Sequence, residues 1–68
     1  MPSGIVIAIN SLQGSGFIRR EKGKDVFFKS SDFINKKDFF LIEVNTEVNF
    51  EVIESGKFKN RAANISIA

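Results

Sequence analysis

A chain of 68 residues without cysteine, histidine or tryptophan has room for one small core. It has no means of building disulfide staples, Cys/His zinc sites, or a Cys or His nucleophile and base. One domain over residues 1–68 is expected, with no enzymatic activity, no metal and no cofactor. The longest apolar run, Ile5 to Ile9, has five residues against the ~20 of a membrane span. Met1-Pro2-Ser3-Gly4 lacks the charged start of a signal peptide, so no membrane partner and a cytoplasmic location are expected.

The net charge of +2 is laid out in blocks. Residues 1–37 carry seven basic and three acidic side chains, residues 38–54 carry five acidic and no basic ones, and Lys57, Lys59 and Arg61 follow without an acid. Folding can bring the two basic segments to one side.

Ile5 to Ile9 is β-branched apart from Ala8 and predicts a strand, closed by the turn residues Asn10 and Ser11. Ser15 to Arg20 and Asp25 to Lys29 predict a hairpin over the turn Glu21-Lys22-Gly23-Lys24, where Gly23 takes a positive φ without steric cost. Period-two alternation places Val26 and Phe28 on one face of the second strand, with Phe27 and Lys29 on the other. In the first strand it groups Ser15, Phe17 and Arg19 opposite Ile18. With Ile18, Val26 and Phe28 inward, Phe17 and Phe27 face solvent beside cations, an arrangement that calls for a ligand.

Ser31 or Asp32 can cap one helical turn ahead of Phe33 and Ile34. Asn35 to Asn45 reads as a loop with an aromatic tip or as a short extra strand. Thr46 to Glu54 alternates, Val48, Phe50 and Val52 against Glu47, Asn49 and Glu51. Ser55-Gly56 turns the chain, Lys57-Phe58-Lys59-Asn60 forms a loop, and Arg61 to Ile67 is a last strand with Ala63, Ile65 and Ile67 on one face. Five short strands in this length predict an all-β, five-stranded antiparallel barrel, which hides its strand edges.

These residues carry a family pattern. Gly14, Gly16, Phe17 and Ile18 match four positions of K-G-F-G-F-I, and Asp25-Val26-Phe27 opens a match to D-V-F-V-H-F. Gly4-Ile5-Val6, Asn10, Glu47 to Val52 and Ala62 to Ile65 fit the surrounding strands. The chain resembles a bacterial cold-shock domain, which implies an OB-fold barrel that binds single-stranded RNA or DNA. The resemblance makes Phe17 and Phe27 retained stacking rings. It also marks Ala8, Ser15 and Ser30 as positions where the family has rings that this chain lacks, and Lys29 as a replacement for a histidine.

Phe39 or its neighbour Phe40 stands in for a loop aromatic, and Phe39 is taken as the candidate. Arg19, Lys57, Phe58, Lys59 and Arg61 complete the expected nucleic-acid-binding set. Each base–aromatic stack is worth roughly 1–3 kcal/mol, so three missing rings remove about 3–9 kcal/mol if additive, and non-additivity favours the lower end. The expected function is weak, salt-sensitive binding of single strands with little sequence preference, in a monomer that acts as an RNA chaperone. The alternative is a protein-interaction or self-association module on the same barrel. Glu47, Glu51 and Glu54 form no catalytic or metal motif and read as a solvated face.

Overall fold

The computed structural model describes residues 3–53 and 60–68. Five strands, β1 (Ser3–Asn10), β2 (Ser15–Arg20), β3 (Val26–Lys29), β4 (Glu47–Ile53) and β5 (Arg61–Ile67), close into a barrel in the order β1-β2-β3-β5-β4. All neighbours are antiparallel except β3 and β5, which run parallel where Phe27 lies opposite Arg61. That seam departs from the all-antiparallel expectation. The topology requires it, because the excursion through residues 30–46 and the β4 strand bring the chain back alongside β3 in the same direction.

The hairpin forms where alternation places it. Phe17 pairs with Phe27 and Ile18 with Val26, so each outward ring meets an outward ring and each core residue a core residue. Gly23 turns the chain at φ 97°, and Arg20 folds back over it, its Nε donating to the Lys24 carbonyl at 2.8 Å. β1 carries a bulge: Val6 lies opposite Ile18, but Ala8 lies opposite Phe17. The extra residue, Ile7, resolves the ambiguity of the uniform apolar run, for it lets Val6 and Ile9 both turn toward the core while Ala8 stays outside.

Inside lie Val6, Ile18, Val26, Phe28, Val48, Phe50, Ala62 and Ile65, all fully buried. Fully burying a side chain of Val, Leu, Ile or Phe contributes about 1.5–3 kcal/mol, and a chain this short depends on every one of them. Gly16 makes room for the largest. A Cβ there would meet the Phe28 ring at 2.6 and 2.8 Å, so the ring packs against bare backbone.

The segment after β3 contains no extra strand. Ser30–Asp32 and Lys36–Phe40 are short 3-10 turns, the second capped by the Asn35 side chain, which accepts from the Lys37 N–H at 3.1 Å. They seat Phe33 and Phe39 under the barrel end in an edge-to-face cluster with Phe28, ring centroids 5.6–6.3 Å apart. Asn45, at φ 82°, and Thr46 then lead into β4 with backbone bonds to Val6.

Two facing expectations fail. In β5 the inward residues are Ala62 and Ile65, with Ala63 half-buried and Ile67 partly exposed. Asn64 sits at φ 50° beside an irregularity in the β4–β5 register and donates from its side chain to the Glu51 carboxylate. That left-handed residue breaks the period of two. Ser15 is buried, although it shares parity with Phe17. It sits between Asn10 and Lys29 in the ladder, and its side chain is too short to reach past them. Residues 54–59, including the expected Ser55-Gly56 turn, lie outside the described residues.

Candidate nucleic-acid interface

The bulge in β1 and the register of the hairpin place four residues in a row across four strands: Ala8, Phe17, Phe27 and Arg61, each opposite the next. Phe17 is 42% exposed and Phe27 half-buried, while Ile18, Val26 and Phe28 beside them are fully buried. The two rings meet edge-to-face with centroids 5.5 Å apart and planes at 70°. Aromatic pairs favour this geometry, and it leaves ring surface turned outward for a planar ligand.

Lys29 is exposed on the same side of β3, two residues from Phe27. Its ammonium is a compact cation, suited to a phosphate rather than to a base. Arg19 is exposed on β2. Its Nε lies 3.4 Å from Asp25 Oδ1, with the side chains 67% and 37% exposed. A long, solvated ion pair of this kind is worth little and does not hold the guanidinium away from other anions.

Arg61 is placed differently from the expectation. Its Nε and Nη2 donate to Asp32 Oδ2 and Oδ1, both at 2.9 Å, and Asp32 Oδ2 also accepts the Lys29 backbone N–H at 2.8 Å. The hydrogen bonds to Asp32, helped by its charge, raise the Arg61 pKa above its ordinary value against the opposing effect of burial. Arg61 is therefore a bidentate partner of Asp32, not an uncommitted phosphate ligand.

Phe39 requires a correction as a candidate stacking residue. It is buried in the Phe28–Phe33 cluster, since the inward side of its 3-10 turn faces the open end of the core. The exposed ring is Phe40, 83% accessible, held edge-to-face on Phe39 at 5.7 Å, with Lys36 and Lys37 exposed in the same turn. Adjacent phenylalanines in an irregular segment share the same composition signal. Only the pitch of the turn decides which is outside. Lys57, Phe58 and Lys59 lie outside the described residues.

Among the described residues no group of three acidic, histidine or cysteine side chains is disposed to hold a metal. No helix among them is long and apolar enough to cross a membrane. Among the described residues, the front of the barrel offers the Phe17 and Phe27 rings with the exposed Lys29 and the loosely paired Arg19, groups suited to holding a ligand.

Comparison with known proteins agrees with this geometry. The profile of the 'Cold-shock' DNA-binding domain matches residues 2–68. The chain is also similar to the Retron Se72 cold shock-like protein of Salmonella heidelberg (strain 579083-10), 50% identical over 34 residues, which is 50% of this chain and 51% of that protein. The aligned stretch thus spans about half the length of the curated relative. With a closed five-stranded barrel, paired ring-bearing strands and a profile match over nearly its whole length, the chain belongs to the cold-shock domain family, a family of nucleic-acid-binding OB-folds and not of enzymes.

Proposed function

We propose that this protein binds single-stranded RNA or DNA across the outer face of β1, β2 and β3, with bases stacked on Phe17 and Phe27 and phosphates held by Lys29 and Arg19. The observation that carries the reading is the Phe17–Phe27 pair, two partly exposed rings 5.5 Å apart on adjacent strands. The two rings stand outside a barrel whose core is already filled by other side chains, and every base has a face that stacks on such rings.

The face is also depleted. Ala8 is exposed where a third ring would extend the row, and Ser15 and Ser30 offer no stacking surface. Binding is therefore weak, with little preference among sequences, because stacking tolerates every base and the side chains on the row make no base-edge hydrogen-bonding pattern. A ligand held this way competes with base pairing and needs no nucleotide hydrolysis, which suits a chaperone that keeps strands open. Phe40, with Lys36 and Lys37, extends the same chemistry to the connection after β3. The absence of cysteine fits work in a reducing cytoplasm, and a monomer suffices for this chemistry.

The test is a titration of the 15N-labelled protein with oligo-dT and oligo-U at low salt. Shifts concentrated at Phe17, Phe27 and Lys29, reversed by added salt, are the expected result. No response to either oligonucleotide rejects the reading, and a mass that grows with protein concentration in sedimentation would then point to a protein-contact surface.

A further inference from the structure

The seam between β3 and β5 is thinly paired. Among the described residues, Phe27 lies opposite Arg61, and beyond the strand end an isolated bridge joins Phe33 to Ile65, with the Ile34 N–H donating to the Ile65 carbonyl at 3.0 Å. The β1–β2 ladder, by comparison, runs from Gly4 opposite Arg20 to Asn10 opposite Ser15. Asp32 and Arg61 add a tie across this weak seam. One carboxylate bonds the last backbone N–H of β3, at Lys29, and the first side chain of β5.

The geometry of that tie is specific. A carboxylate facing a guanidinium through two parallel hydrogen bonds fixes orientation as well as distance. The Asp32 and Arg61 side chains are only 12% and 31% exposed, so water and salt screen the pair incompletely. The two outward residues of β3 are each joined to it. Phe27 is the register partner of Arg61, and the Lys29 amide is bound by Asp32. A phosphate approaching Arg61 also approaches the Asp32 carboxylate, and the like charges oppose the contact.

We propose that Asp32 is a positioning residue of the nucleic-acid face: through Arg61 it fixes β3 against β5, and with it Phe27 and Lys29. The inference rests on the binding role proposed above and assigns Arg61 a part opposite to that of a ligand cation.

The experiment compares Asp32→Asn, Arg61→Gln, Arg61→Lys and the double variant Asp32→Asn/Arg61→Gln with the parent, by titration of labelled oligo-dT across a salt series. Asp32→Asn and Arg61→Gln are each expected to lower affinity about 5-fold or more, the low end for linked groups. The double variant falls no further than the weaker single, because the pair acts as a unit. Arg61→Lys behaves like Arg61→Gln, since an ammonium cannot make the two-bond fork, and the salt slope stays at the parent value throughout.

A direct phosphate role for Arg61 gives a different pattern and overturns the proposal. Asp32→Asn would then tighten binding, Arg61→Lys would keep parent affinity, and Arg61→Gln would flatten the salt slope by about 0.7, the increment for one phosphate on a single strand. Hydrogen exchange in the free proteins supplies a readout without ligand. Asp32→Asn is expected to speed exchange at the Ile34 amide and to move the Phe27 and Lys29 amide signals. Unchanged exchange and signals also overturn the proposal, even in a protein that binds no oligonucleotide, whereas failure of the parent to bind rejects the functional reading alone. If Asp32→Asn does not fold, Arg61→Gln decides, since it leaves the carboxylate and its bond to the Lys29 N–H in place: lowered affinity at an unchanged salt slope supports the role, and parent affinity or a flattened slope rejects it.

Discussion

Ala8 lies directly opposite Phe17 in the β1–β2 ladder, exposed, at the end of a row that continues through Phe27. The β1 bulge holds this position outside the core, so it accepts a large side chain without disturbing packing. Ala8→Trp is expected to add a stacking surface and tighten oligo-dT binding by about 1–3 kcal/mol. The chain has no other tryptophan, so quenching of the new indole measures the binding directly. Unchanged affinity in a folded variant would show that the row is not the ligand track.

Phe27 and Phe28 are neighbours in sequence with opposite environments, half-buried and fully buried. Phe27→Ala should weaken oligonucleotide binding by roughly 1–3 kcal/mol with the barrel still folded. Phe28→Ala should cost about 3–5 kcal/mol of stability, enough to unfold so small a domain. Urea denaturation monitored by circular dichroism, beside the same titration, separates the two effects. Loss of folding in Phe27→Ala would place that ring in the core and remove the interface.

Lys29 tests the phosphate contribution. Lys29→Gln removes one exposed cation beside the rings while leaving the backbone N–H that Asp32 accepts. The slope of log K against log salt is expected to flatten by about 0.7, the loss of one phosphate from a single strand. A parallel slope at lower affinity would mean that Lys29 acts through packing and not through charge.

Gly16 tests the packing. A methyl group there would meet the Phe28 ring at 2.6 and 2.8 Å and also the Ala8 carbonyl. Gly16→Ala should destabilise the barrel by about 1–3 kcal/mol, the usual cost of overpacking, read as a lower urea midpoint with an unchanged m-value. A neutral result would mean that the Phe28 ring and the Ala8 backbone can both shift without loss.

The sequence alone delimits the strands well because the hairpin and β4 alternate cleanly. Ile18, Val26, Phe28, Val48 and Phe50 all lie inside as period two requires. Where it misleads, a local backbone feature breaks that period. Asn64 at φ 50° breaks the alternation of β5, so that Ile65 lies inside as expected but with Ala62 in place of Ala63 and Ile67, and Ser15 is covered by its ladder neighbours despite outward parity. Phe39 and Phe40 differ only in where a 3-10 turn points them. The Asp32–Arg61 pair joins residues 29 apart in the chain, and no composition or spacing signal records such a contact. The rings and their lysine were thus legible from alternation, whereas the commitment of Arg61 required three dimensions.

The rings that meet solvent on β2 and β3 and the side chains that fill the barrel belong to different residues on alternate sides of the same strands. Changes on one side leave the folding free energy of the other nearly untouched. A scaffold divided in this way can lose a contact, regain it or retarget it while keeping a stable barrel. The sparse front of this molecule is thus compatible with an undiminished interior, and its ligand strength is adjustable by single substitutions.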